Sequence, residues 1–196
     1  MRRRTRPSLL QSALVGLALI LFGCGSPVTR FTHPDVDFSF YESVGIIPFE
    51  SLGQDRLAGD KATNIFFAEL LTRDFAAVCE PGQFAAAIQR VRGTGISNLS
   101  WSAADVARLA KEANVQGVFT GTVRDYEMTN VGRSLYPLVA IEVRLLDAST
   151  GNLVWSASVT RRGGPALPFM FWRETHTLGE LTTEVCRELL ETLPSP

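Results

Sequence analysis

Apolar residues recur along this chain in two rhythms, and the switch between them divides it. In 55–75, DRLAGDKATNIFFAELLTRDF, Ala62, Phe66 and Leu70 stand four apart, with Phe67 and Leu71 widening the stripe. This spacing predicts an amphipathic helix. Glu69 and Arg73, also four apart, form a minor pair on its outer side. In 81–93, PGQFAAAIQRVRG, Pro81 suits a first helical turn and Gly93 a stop, which predicts a second helix. In 101–114, WSAADVARLAKEAN, Ser102 and Asp105 make a capping box. The apolar face of this third helix is Ala103, Val106, Ala107 and Ala110, with Leu109 at its edge. Residues 93–100, GTGISNLS, read as a loop.

The period then drops from 3.6 to 2. Residues 116–128, QGVFTGTVRDYEM, are strand-like. In LVAIEVRLLD, Val139, Ile141, Val143 and Leu145 take one face and Glu142 and Arg144 the other. ASTGN is a hairpin turn, with Gly151 supplying its unusual backbone angles. LVWSASVT alternates again, with Leu153, Trp155, Ala157 and Val159 inward. Such alternation describes an antiparallel sheet covered on one side by helices. Earlier, Val44, Ile46 and Ile47 form a short strand ended near Pro48, and AAVCE is a short second one. A last helix spans about Thr177 to Leu193, with Leu178, Leu181, Val185 and Leu189 as its stripe. The order is β-α-β-α-α-β-β-β-α: an α/β fold, a mixed sheet in a two-layer or three-layer-like sandwich.

Before all this stand Arg2, Arg3, Arg4 and Arg6, then a mostly apolar run from Leu9 to Phe22. A positive head and an apolar core of this length make an export signal, shorter than the roughly 20 residues a spanning helix wants. Leu21-Phe22-Gly23-Cys24 resembles the lipobox of bacterial lipoproteins. The resemblance implies a diacylglycerol on the Cys24 thiol, cleavage before it and an acylated new amino terminus. Two or more chains give stable anchoring. Residues 1–23 are then the signal peptide, 24–40 a lipid-anchored tether and 41–196 a single domain. Gly25 follows the cysteine with no aspartate to signal inner-membrane retention, so the expected place is the periplasmic face of the outer membrane.

Loss of 1–23 removes four arginines and no acid, leaving 15 basic against 20 acidic side chains, about −5. A net acidic domain argues against nucleic acid as a partner, and the membrane is held by lipid on Cys24 rather than by charge. Cys79 and Cys186 remain as thiols. An oxidising compartment permits a disulfide, while two scattered thiols in a chain of this size are more commonly buried and free.

The segments SVGIIPFES, VFTGTVRDYE and IEVRLLDASTGNLVWSASVT resemble the superfamily of the TolB amino-terminal domain and the curli secretion channel protein CsgG, to which the lipoprotein LpoB also belongs. The most specific piece is the hairpin with Asp147, Gly151 and Trp155. The resemblance covers about residues 42–193 and implies a fold, with no chemistry attached.

Motifs for chemistry are absent. There is no Cys-x-x-Cys or His-x-x-x-His for zinc and no Gly-x-Ser-x-Gly or Ser-x-x-Lys nucleophile. RGTGISN follows a helix and lacks the Lys of a phosphate cradle. His176 reads as structural or surface. The expectation is therefore no catalytic residue, no metal and no cofactor. One segment stands out: GGPALPFMFW, residues 163–172. Phe169, Phe171 and Trp172 either tuck under the last helix or form an exposed patch for a partner, since interfaces favour Phe, Met and Trp. The function expected is a non-enzymatic periplasmic adaptor or assembly lipoprotein that binds an envelope protein and allows an oligomer. The alternative is a subunit of an outer-membrane secretion pore. A membrane hairpin wants about 9 to 11 residues per strand, and the loop TNVGRSLYP, residues 129–137, is too short to supply them.

Overall fold

The computed structural model describes residues 28–93, 101–164 and 175–196. Among these, strands β1 (Thr29–Thr32), β2 (Ser43–Ile46), β3 (Glu50–Ser51), β4 (Ala77–Val78), β5 (Gly117–Val131), β6 (Ser134–Asp147) and β7 (Leu153–Arg162) build one mixed sheet. Its order is β1-β7-β6-β5-β2-β4, with β3 beside β5. β2 runs parallel to both β4 and β5, and β3 parallel to β5. The β5, β6, β7 and β1 neighbours are all antiparallel. Four helices pack on it: α1 (Ala58–Leu71), α2 (Pro81–Arg92), α3 (Ala103–Ala113) and α4 (Leu178–Glu191).

The α/β class is as expected, and the expected element order is present with β1 and β3 added. The helices differ from the expectation of one covered face, because they lie on both. Phe66, Leu70, Phe119, Ile141, Trp155, Val185 and Leu189 form the larger core, under α1 and α4. Ile47, Phe84, Val106, Leu109 and Val118 form a smaller one, under α2 and α3. The physical reason is the short βαβ steps: the strands around β2 and the start of β5 are apolar on both faces. Val118 and Phe119 are neighbours on β5 and both have 0% exposure.

Local signals set the helix ends. Glu80 caps α2 by accepting from Gln83 N at 2.7 Å, with Pro81 in the first turn. The capping box of α3 forms in both directions, and Asn114 closes that helix in the left-handed conformation. Thr177 caps α4 through Glu180 N at 3.2 Å. At Gly45 a β-carbon would stand 2.0 Å from the Phe84 ring, so glycine lets α2 lie down on β2.

Several details correct the expected pattern. Residues 28–40 are not a free tether: Thr29–Thr32 pairs with β7, and Val28 and Phe38 pack on the larger core. The stretch is too short for periodicity to reveal it. Leu153 is exposed rather than inward, because Val154 is an extra residue opposite Leu145 and Leu146 and reverses the alternation. On α3 the buried face is Val106, Leu109, Ala110 and Ala113, and Ala103 is exposed. Leu71 points to solvent. Glu69 pairs with Arg187 at 3.1 Å and Arg73 with Glu191 at 3.8 Å, in place of one another, because α1 packs beside α4. The loop expected at 129–137 is strand, turned at Gly132 and Arg133. Gly132 has φ 65°, as a first turn residue of a tight hairpin requires.

Candidate functional site

Two surfaces stand out, and strand register produces both. The first is the polar side of the sheet where α2 and α3 stop short. Thr120, Thr122, Glu142 and Arg144 alternate with core residues on β5 and β6, so they floor an open groove of about 860 Å³. Arg144 donates to Glu142 Oε1 at 2.7 Å through Nε. Trp101, just before the α3 cap, forms the far wall, with the Arg92 guanidinium 3.5 Å from its ring centre. Ile88 and Val106 supply the apolar part. The groove is amphiphilic, with a charged floor.

One end of the groove is braced by the β6–β7 turn. The Asp147 carboxylate accepts from Ser149 N, Ser149 Oγ, Thr150 N and Thr150 Oγ1 at 2.6 to 3.0 Å. Tyr41 donates its hydroxyl to the other oxygen at 3.3 Å. Burial pushes the Asp147 pKa up, but the Ser149 and Thr150 bonds outweigh it and hold the carboxyl below the ordinary range. Burial, then the nearby Asp147 charge, pushes the Tyr41 phenol well above its ordinary value. These are structural tuning effects of a closed turn. Neither side chain lines the groove itself.

The second surface is a hairpin arm. β5 and β6 continue past their neighbours: β3 ends its pairing at Val123 and β7 at Leu138. From Asp125↔Ala140 to Val131↔Ser134 the two strands pair with each other. A bulge at Arg124 precedes the arm. Met128, Val131 and Leu135 on it are exposed at 42%, 37% and 56%. Sequence reasoning missed this arm. The available signal was Gly132 between two β-rich runs, a two-residue hairpin cue.

Cys24, Phe169, Phe171 and Trp172, the residues expected to carry lipidation and partner contact, lie outside the described residues. The neighbours of the aromatic segment are described. Gly163 N donates to Pro137 O at 2.8 Å, and a β-carbon on Gly163 would meet Thr175 O at 2.2 Å. Gly163 and Thr175, which flank 165–174, thus meet beside the base of the arm. His176 stacks on Tyr136 there, with ring centres 6.0 Å apart and an interplanar angle of 23°. Cys79 and Cys186 are free. They belong to the cores on opposite sides of the sheet, which no disulfide spans. Burial, with the Glu69 charge, pushes the Cys186 thiol up to about 12. Among the described residues no three His, Cys, Asp or Glu side chains gather as a metal site, and no helix is long and apolar enough to cross a membrane.

A mixed sheet with paired helices on each face, closed by a long antiparallel three-strand meander, is a fold shared with solved bacterial proteins. The PelC dodecamer from Paraburkholderia phytofirmans superposes with a TM-score of 0.59 at 21% identity, over 87% of this chain and 98% of that one. Lipoprotein GNA1162 from Neisseria meningitidis gives 0.52 at 20% identity, over 76% of this chain and 99% of that one. The LpoB C-terminal domain from Escherichia coli reaches 0.45 at 15% identity, over 61% of this chain and 83% of that one. No family model and no curated protein matches the chain. At these identities the likeness is one of fold.

Proposed function

We propose that the protein is a non-enzymatic, lipid-anchored lipoprotein of the TolB/CsgG-like superfamily. It stands on the periplasmic face of the outer membrane and binds an envelope protein as one subunit of an assembly. The observation that carries this reading is the fold likeness. Nearly the whole of two solved chains, one a lipoprotein and one a dodecamer, matches this domain. The Leu21-Phe22-Gly23-Cys24 run supports the anchor. The exposed arm and the amphiphilic groove offer surface for protein contact, and the aromatic trio Phe169, Phe171 and Trp172 is proposed as part of the partner contact. The pore alternative gains little from the arm. It extends seven residues on β5, Asp125 to Val131, against the 9 to 11 per strand that a bilayer needs.

The test is direct. Cells fed a clickable palmitate should label the wild-type chain and leave Cys24→Ser unlabelled and displaced from the outer-membrane fraction. Equal labelling of the two would end the anchor proposal. A detergent pull-down with wild type should recover a defined envelope protein or further copies of the chain. Changing Phe169, Phe171 and Trp172 to Ser should reduce that recovery while the melting temperature holds. A collapse in melting temperature would place the three rings in the core instead.

A further inference from the structure

The direction in which β1 enters the sheet sets which end of the domain lies nearest Cys24. β1 is antiparallel to β7, with Thr29 opposite Ser158 and Thr32 opposite Trp155. The chain upstream of Thr29 therefore leaves the sheet in the direction in which β7 runs toward Arg162. Arg162 pairs with Leu138, at the base of the β5–β6 arm. The route back to Cys24 and the arm thus point the same way.

Distances along the strands sharpen this. Thr29 is level with Ser158, and Ser158 with Glu142. From Glu142 to Ser134, beside the tip, is eight residues, about 26 Å at roughly 3.3 Å per residue. From Thr29 back to Cys24 is five residues, which span at most about 18 Å when fully extended. Val28 already packs on the core, so none of this length is gained by peeling β1 away. With the strands standing along the membrane normal, the tip reaches at least about 8 Å beyond any level Cys24 can occupy. An anchor that short does not hold the arm clear of the bilayer surface. The depth matches the roughly 5 to 10 Å at which interfacial elements bury their apolar side chains.

The composition of the arm fits that position. The mature chain is acidic, yet between Met128 and Leu138 the single charged residue is Arg133, in the turn. Met128 lies two residues beyond Tyr126, and Leu135 four before Val139, so both continue the apolar face of the sheet past its helices. Val131 stands next to the turn. A two-stranded ribbon with an exposed apolar face is marginal in water and is a surface that wants covering. An arm this short enters the headgroup region without crossing the hydrocarbon core.

We propose that the tip of the β5–β6 arm, with Met128, Val131, Leu135 and Arg133, is a second membrane contact. It dips into the lipid interface beside the anchor, with the long Arg133 side chain reaching back from the turn toward the phosphates, and so fixes how the domain stands on the membrane. The proposal rests on the anchor at Cys24, and its test reads the two separately. The full mature chain is purified in detergent with Cys79→Ser, leaving Cys186 buried, and with Val131→Cys or, at the opposite end of the sheet, Asn152→Cys. Each new thiol carries an environment-sensitive fluorophore. The chains are reconstituted into phosphatidylethanolamine–phosphatidylglycerol vesicles, with and without nitroxide-labelled lipid. The mass of the amino-terminal peptide reports acylation in the same sample. The expected result is an acylated chain whose position-131 label shifts to the blue and is quenched by nitroxide lipid, while the position-152 label does neither. An acylated chain whose position-131 label stays aqueous overturns the arm contact and leaves the anchor standing. An unacylated chain overturns the anchor, and an aqueous position-131 label on added vesicles then overturns the arm as well. As a second variant, Met128→Ser, Val131→Ser and Leu135→Ser together alter only exposed side chains. With Cys24→Ser as background, they should lower vesicle partitioning about ten-fold, and unchanged partitioning counts against the contact.

Discussion

Replacing Trp155 with Ala tests the architecture at its most connected point. Trp155 is fully buried on β7. Its ring meets Phe119 edge-on with centroids 6.2 Å apart, and its indole N–H donates to Thr192 O at 3.2 Å, tying the sheet to the end of α4. A large aromatic buries about 200 Å², worth about 5 kcal/mol at roughly 25 cal/mol per Å² as an upper bound. Truncation to Ala then costs about 3 to 5 kcal/mol, with the cavity included. For a domain of this size each kcal/mol moves the midpoint by about 2 to 4 °C, so the melting temperature should fall by about 6 to 20 °C. Trp155→Phe keeps most of the ring and removes the donor, and should cost nearer 1 kcal/mol beyond its volume change. Urea unfolding followed by far-ultraviolet circular dichroism measures both. A loss under about 1 kcal/mol for Trp155→Ala would refute the register, since a one-residue slip of β7 turns this side chain outward.

Two further outcomes follow from the electrostatics. The Asp147 carboxyl is held below its ordinary 3.8 by the Ser149 and Thr150 bonds, against the opposing push of burial. The stability it supplies is therefore present above that ordinary value and is lost as pH falls through the folded-state value. Asp147→Ala should lower stability at pH 7 by about 1 to 2 kcal/mol and flatten the acid limb of the stability–pH curve, and an unchanged limb would count against this. For the thiols, Cys79 is half-buried and Cys186 fully buried with its ionisation pushed up. Under native conditions a thiol reagent at pH 8 should modify Cys79 first and reach Cys186 only on unfolding. A protein that reacts at neither thiol until reduced would instead contain the disulfide that the sheet is argued to forbid.

Local chemistry in the chain was enough for the helices and the meander. Pro81, the Ser102–Asp105 box and Thr177 act within one turn of the backbone they cap, so their effect is written in adjacent residues. The alternation of Val139, Ile141, Val143 and Leu145 is likewise local, and all four are fully buried. Packing decided the rest. Leu153 and Val154 exchange faces because of one extra residue in β7, which no period-2 pattern announces. Glu69 finds Arg187, 118 positions away, because α1 lies beside α4. Thr29–Thr32 is a strand only because β7 offers it a free edge; four residues carry too little pattern to declare themselves. That edge shortens the link to Cys24 from a long tether to a few residues. The proposed standing of the domain on a membrane therefore rests on a pairing between segments more than 120 residues apart. Periodicity records which face of an element is apolar, and only the assembled sheet determines what that face meets.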